Sequence, residues 1–196
     1  MQPGPQQRRG IVRRKAILDA AVELLLAGGM AAITHRAVAD AAATPLGAIR
    51  YYFHTREALL LACLDSVESE RDAAATDSVR TAMEWTHPPP VETTAALLVR
   101  SYMGPRLDDG TLRGTIGWFI DSAREGPALA ELLARQRREI DRQLEAILDA
   151  GAFGDVPVGL VCSVMDGSLV NATVHGVGNV AHCITDEVTQ LLKLFG

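Results

Sequence analysis

Apolar side chains along this chain recur with helical rather than strand period. From Arg13 to Ala27, Ile17, Ala21, Leu24 and Leu25 fall on one face, and Gly28-Gly29 ends the run. Thr34 is placed to N-cap a short helix with Ala37, Val38 and Ala41 facing inward. Thr44-Pro45 marks a break and a new start, with Leu46 to Tyr52 as a second short element. Thr55 reads as the next N-cap, Glu57 suits that helix's positive end, and Leu60, Leu64 and Val67 continue its stripe. His87-Pro88-Pro89-Pro90 is a stiff connector, and Gly104-Pro105 closes the helix that begins near Val91. A helix is expected from Thr111 to Glu125. Pro127 opens the most amphipathic segment, with Leu129, Leu132, Leu133, Ile140, Leu144 and Ile147 as its stripe and Gly151 as its stop. The expected fold is all-α, with about nine helices.

The last 45 residues break the pattern. Between Asp155 and Asp186, Asp166 is the only formally charged side chain, so a helix there is apolar almost all round and must be covered on most sides. Ile184, Val188, Leu191, Leu192 and Phe195 follow at near-heptad spacing. Two such helices fit a homodimer contact, in which a symmetric pair builds a four-helix interface. The candidate contact residues are Leu160, Val161, Val164, Asn171, Val188, Leu191, Leu192 and Phe195. A deep monomer core is the other reading of the same pattern.

Composition narrows the class. With 48% apolar residues in 196, the chain can bury a core without metals or disulfides. Cys63, Cys162 and Cys183 are an odd set with no CxxC spacing, as in reduced cytosolic proteins. No run reaches the roughly 18 apolar residues of a membrane span, and MQPGPQQRRG lacks a signal peptide's apolar stretch. A cytoplasmic protein without a membrane partner is expected. Net charge is −5, which alone argues against a nucleic-acid partner, yet its distribution is uneven. Residues 1–56 carry eight Arg/Lys against three Asp/Glu, and residues 57–196 carry eleven against twenty-one. A basic head on an acidic body suggests that only the head meets a polyanion.

That head holds the informative stretch, THRAVADAAATPLGAIRYYFHTREALL, from Thr34 to Leu60. Two short helices around a tight break, after a longer helix, follow the helix-turn-helix plan, whose second short helix enters the DNA major groove. Gly29, Thr34, Val38-Ala39, Gly47, Ile49, Tyr52-Phe53, Arg56-Glu57 and Leu59-Leu60 stand at the spacing of the TetR-type repressor signature, which the chain resembles over residues 10–65. It departs at Ala43-Thr44-Pro45, where that family usually has Gly-Val-Ser, and at Arg50, where it often has tyrosine.

The resemblance implies a flexible basic arm at 1–9, a DNA-binding domain at 10–56 and an effector-binding and dimerisation domain at 57–196. Arg8, Arg9, Arg13 and Arg14 suit phosphates or a minor groove. Thr34, His35 and Arg36 begin a helix whose amides can meet a phosphate. Tyr52 and Arg56 match the family's phosphate-holding positions, though Tyr52 also reads as a packed aromatic. Thr44, Leu46, Ala48 and Arg50 are the candidate base readers beside Pro45 and Gly47, Arg50 being suited to guanine O6 and N7. Ile49, Tyr51 and Phe53 are expected in the core, and His54 in a solvated loop.

The family's larger domain encloses a pocket for a small effector that lowers DNA affinity. Met83, Trp85, Leu98, Tyr102, Met103, Trp118, Phe119, Ser122 and Met165 are candidate lining, and each reads equally as plain core. Thr115, Asp121 and Ser122 mix polar groups into the Trp118 segment, as a binding site requires. A regulator without an effector is the alternative function. A small enzyme or metal protein is the remote one: His175, His182 and Cys183 have no helix-face ligand spacing, and Asp166 lacks a catalytic motif around it. No catalytic residue, metal or cofactor is expected.

Overall fold

Two threonines fix the helix starts of the first third of the chain. In the computed structural model, which describes residues 5–122 and 126–196 except the side chains of 5, 6, 118–120 and 122, Thr34 and Thr55 have extended backbone. Their hydroxyls accept from the Ala37 and Ala58 amides at 3.1 and 3.0 Å, satisfying one first-turn N–H in each helix. Among the described residues the order is α1 (Pro5–Gly28), a 3-10 turn (Met30–Ala32), α2 (His35–Ala41), α3 (Leu46–Tyr52), α4 (Arg56–Met83), α5 (Val91–Met103), α6 (Asp109–Ser122), α7 (Pro127–Ala150), α8 (Val158–Val174) and α9 (Val180–Leu192), with no strand. The all-α expectation is met.

α1 begins earlier than its apolar stripe indicates. Residues 5–9, expected in a flexible arm, are already helical, since proline is tolerated in a first turn and Gln and Arg are good helix formers. Arg8, Arg9, Arg13 and Arg14 are exposed along this helix.

Two cores form. In the head, Ile17, Ala21 and Leu25 of α1 close on Val38, Ile49, Phe53 and the start of α4, and Leu129 and Leu132 of α7 join them. In the body, Leu98, Leu144 and Ile147 pack against Val161, Met165, Ile184, Val188 and Leu192. α4 serves both, since 28 residues at 1.5 Å each run about 42 Å.

The C-terminal pair divides its apolar residues between two faces. Val161, Val188 and Leu192 are fully enclosed by the chain's own core and Leu191 nearly so, which removes all four from the expected dimer contact. Leu160, Asn171 and Phe195 are exposed and Val164 is half-buried. Val170 and Val174, not singled out from the sequence, add 42% and 74% exposed apolar surface on α8. Apolar side chains on both faces of one helix carry no period that tells core from contact.

Candidate DNA interface and ligand cavity

The turn between α2 and α3 is made without glycine. Ala43 takes φ 46°, the Thr44 amide returns to the Ala39 carbonyl at 2.9 Å, and the Thr44 hydroxyl donates to the Ala42 carbonyl at 3.0 Å. α3 then seats Ile49 fully in the head core. Tyr52, three residues on, shares that inward face and is half-buried against the same cluster. Arg50 and Tyr51 consequently face out. Tyr51 is 73% exposed, so its expected place in the core is corrected: two positions past an anchor, a helical side chain points away from it. Its ring meets Tyr52 edge-on, with centroids 5.1 Å apart. Pro45, Leu46, Gly47 and Arg50 are exposed with it, while Thr44 and Ala48 are half-buried.

The neighbouring cations have different surroundings. Arg36 is exposed, and Arg14 lies 5.0 Å over the Phe53 ring. His35 pairs its Nε2 with the Phe53 carbonyl at 2.7 Å, tying the start of α2 to the end of α3. Arg56 turns inward, donating through Nε to the Ile33 carbonyl at 2.9 Å and through Nη2 to that of Met30 at 2.8 Å. These bonds brace the 3-10 turn against α4, a structural task that the phosphate role expected from sequence did not include.

The body contains a cavity of about 550 Å³, within the size range of small-molecule sites. It is walled by Leu26 of α1, Val67 and Arg71 of α4, Tyr102 and Met103 of α5, Thr111, Thr115 and Ile116 of α6, Leu133, Ala134, Gln136, Arg137 and Ile140 of α7, and Asp166, Leu169 and Val170 of α8. Tyr102 and Met103 are the sequence candidates that line it. Leu98 and Met165 are buried in the body core beside it, Trp85 packs on that core, and Met83 is 61% exposed, so these four are corrected. The side chains of Trp118, Phe119 and Ser122 lie outside the described residues.

Polar groups of the wall are tightly organised. The Tyr102 hydroxyl donates to Asp166 Oδ1 at 2.8 Å, and Arg137 lies 5.9 Å over the Tyr102 ring. Burial pushes the Tyr102 hydroxyl well above its ordinary range, helped by the Asp166 charge beside it. Arg71 is buried and fully engaged, with Glu68 at 2.6 Å, the Ser101 carbonyl at 2.8 Å and Gln143 Oε1 at 2.9 Å. Gly104 permits this: at φ 85° its Cβ position stands 3.4 Å from Arg71 Cα. Gln136 Nε2 is buried at the wall with no hydrogen-bond partner among the described residues, a donor that a bound molecule can satisfy. Arg71, Gln136 and Asp166 as wall residues were not legible in the sequence, because they come together from α4, α7 and α8. Asp166 alone carried a signal, as the one charge in an apolar helix.

Known proteins fit this geometry. The family described as bacterial regulatory proteins, tetR family, matches residues 17–63. No curated protein matches the chain. Among solved structures, a TetR transcription regulator from Haloarcula marismortui superposes with a TM-score of 0.73 at 19% identity, covering 94% of this chain and 98% of that one. The fatty acid degradation regulator FadR from Bacillus halodurans gives 0.68 at 18% identity, over 98% and 96%. The multidrug binding protein EbrR, complexed with imidazole, gives 0.66 at 24% identity, over 97% of each chain. Residues 17–63 thus form a DNA-binding domain of the tetR-family type, on a chain whose fold is similar along its length to that of TetR transcription regulators.

Proposed function

We propose that this regulator is a cytoplasmic repressor that grips a palindromic operator as a homodimer and releases it when a small molecule enters the cavity. One observation carries the reading: α6 borders the cavity and packs directly on α1, which leads into the head. Thr111, Thr115 and Ile116 border the cavity, while Gly114 between them lies so close to α1 that a Cβ there would stand 1.8 Å from the Leu26 carbonyl oxygen. Leu26 itself borders the cavity, and α1 continues into the head core beneath α3. A molecule that shifts α6 must therefore shift α1. The outward α8 face, with Leu160, Val170 and Val174, supports pairing of two chains. EbrR, a multidrug binding protein with this fold, has also been solved with proflavin, which supports a ligand site.

A thermal-shift screen of small apolar compounds tests this. Compounds that raise the melting temperature should weaken operator binding, because a ligand that favours the DNA-free state is itself disfavoured by DNA to the same degree. Ile140→Trp, which fills the cavity from α7, should remove both effects. Stabilising compounds that leave operator affinity unchanged would overturn the effector role.

A further inference from the structure

We infer that the cavity takes a ligand with an apolar body and one protonated nitrogen, the nitrogen seated on the Asp166 carboxylate. This rests on the reading of the cavity as the ligand site. Three guanidiniums border the cavity, and each is already neutralised. Arg71 pairs with Glu68 at 2.6 Å, Arg106 with Glu23 at 2.8 Å and Glu70 at 3.1 Å, and Arg137 with Asp141 at 2.8 Å. Asp166 has no such partner: among the described residues no arginine or lysine stands within 4.0 Å of it, and its one hydrogen bond is from Tyr102. With the ion-pair partners Glu23 and Asp141 from outside the wall, five carboxylates stand against three cations, and Asp166 is the wall carboxylate left without an ion pair.

A carboxylate in that position is costly without a partner. Its own behaviour agrees, since burial holds Asp166 above the ordinary carboxylate range despite the opposing Tyr102 hydrogen bond and Arg137 charge. An ammonium group removes the deficit through a charge-assisted hydrogen bond. An anionic ligand meets Asp166 itself and finds every neighbouring guanidinium occupied. Met103, Ile116, Leu133, Ile140 and Leu169 supply contact for an apolar body. Tyr102, tilted under Arg137 with its hydroxyl 3.4 Å from Nη1, fixes Oδ1 and leaves the second carboxylate oxygen for the ligand.

Calorimetric titration of the full chain with decylamine, 1-decanol and decanoate at neutral pH tests the inference, since the probes share one tail. Decylamine should bind about tenfold or more tightly than decanol, with decanoate weakest. Asp166→Asn should bring amine and alcohol to equal affinity while decanol binding stays unchanged, which also shows that the variant folds. Tyr102→Phe keeps the carboxylate and should keep the amine preference. Decanoate binding tightest, or an amine preference that survives Asp166→Asn, overturns the assignment. If that variant fails to bind decanol, the wild-type ranking and Tyr102→Phe decide, and loss of the preference in Tyr102→Phe overturns it. Decanol binding without amine preference defeats the charge assignment alone, whereas no binding by any probe defeats the cavity reading with it.

Discussion

Arg50 and Arg56 are near neighbours in sequence with opposite surroundings, and their substitution should separate two measurements. Arg50 is exposed on α3, with no hydrogen bond or ion pair to hold it among the described residues. Arg50→Ala should cost about 1–3 kcal/mol on the preferred operator and relax preference at one base pair per half-site. Arg56→Ala removes two hydrogen bonds to buried carbonyls, each of a class worth about 1.5–3 kcal/mol, and should lower the melting temperature with base preference unchanged. Titrations on operator and scrambled DNA, beside a melting curve, check both. Spacing could not distinguish these two arginines, since the carbonyls that hold Arg56 come from Met30 and Ile33, across a turn. Tyr51 was misplaced for a related reason: a seven-residue helix has too few turns for its apolar period to be read, so adjacent tyrosines look alike. Ala43 was legible as a departure from glycine, and the structure gives it a consequence. A non-glycine residue in the left-handed region costs about 1–2 kcal/mol, partly offset by glycine's greater freedom when unfolded. Ala43→Gly should therefore stabilise the protein by about 0.5–1 kcal/mol in chemical denaturation.

At the scale of the helix, the chain's punctuation was readable because it is local. Thr34, Thr55, Pro127 and Gly151 start or stop helices through groups within one turn of themselves. Crossings between helices are not local, and α6 shows the difference. Its two central glycines look equivalent in sequence, yet Gly114 lies against the Leu26 carbonyl, while a Cβ at Gly117 meets nothing within 4 Å among the described residues. Gly114→Ala must push α1 away and should destabilise by about 1–3 kcal/mol or more, with altered operator affinity. Gly117→Ala should instead add about 0.8–1 kcal/mol of helix stability and leave DNA binding alone. Melting curves of the pair give the comparison. Equal behaviour would separate α6 from α1 and remove the link between cavity and head.

For the whole molecule, the basic head and acidic body were legible as a charge imbalance, and the all-α class as a period. The division of α8 between core and outward face was not, because valine and leucine serve both. Gly167 offers a clean probe of that outward face: it is exposed, and a Cβ added there meets nothing within 4 Å among the described residues. Gly167→Glu should fold at least as well as the parent, yet burying its charge in a dimer contact costs several kcal/mol. Sedimentation should show folded monomers with weakened DNA binding; an intact dimer would place the contact elsewhere.

The central claim is that two copies of the head, each presenting Arg50 and Tyr51 on α3, read one DNA site. Selection of bound duplexes from a random pool by the full chain tests it most directly. The expected product is an inverted repeat whose half-site centres lie about 10 base pairs, or a multiple of that, apart. A pool without enrichment, or one converging on a single asymmetric site, would contradict it.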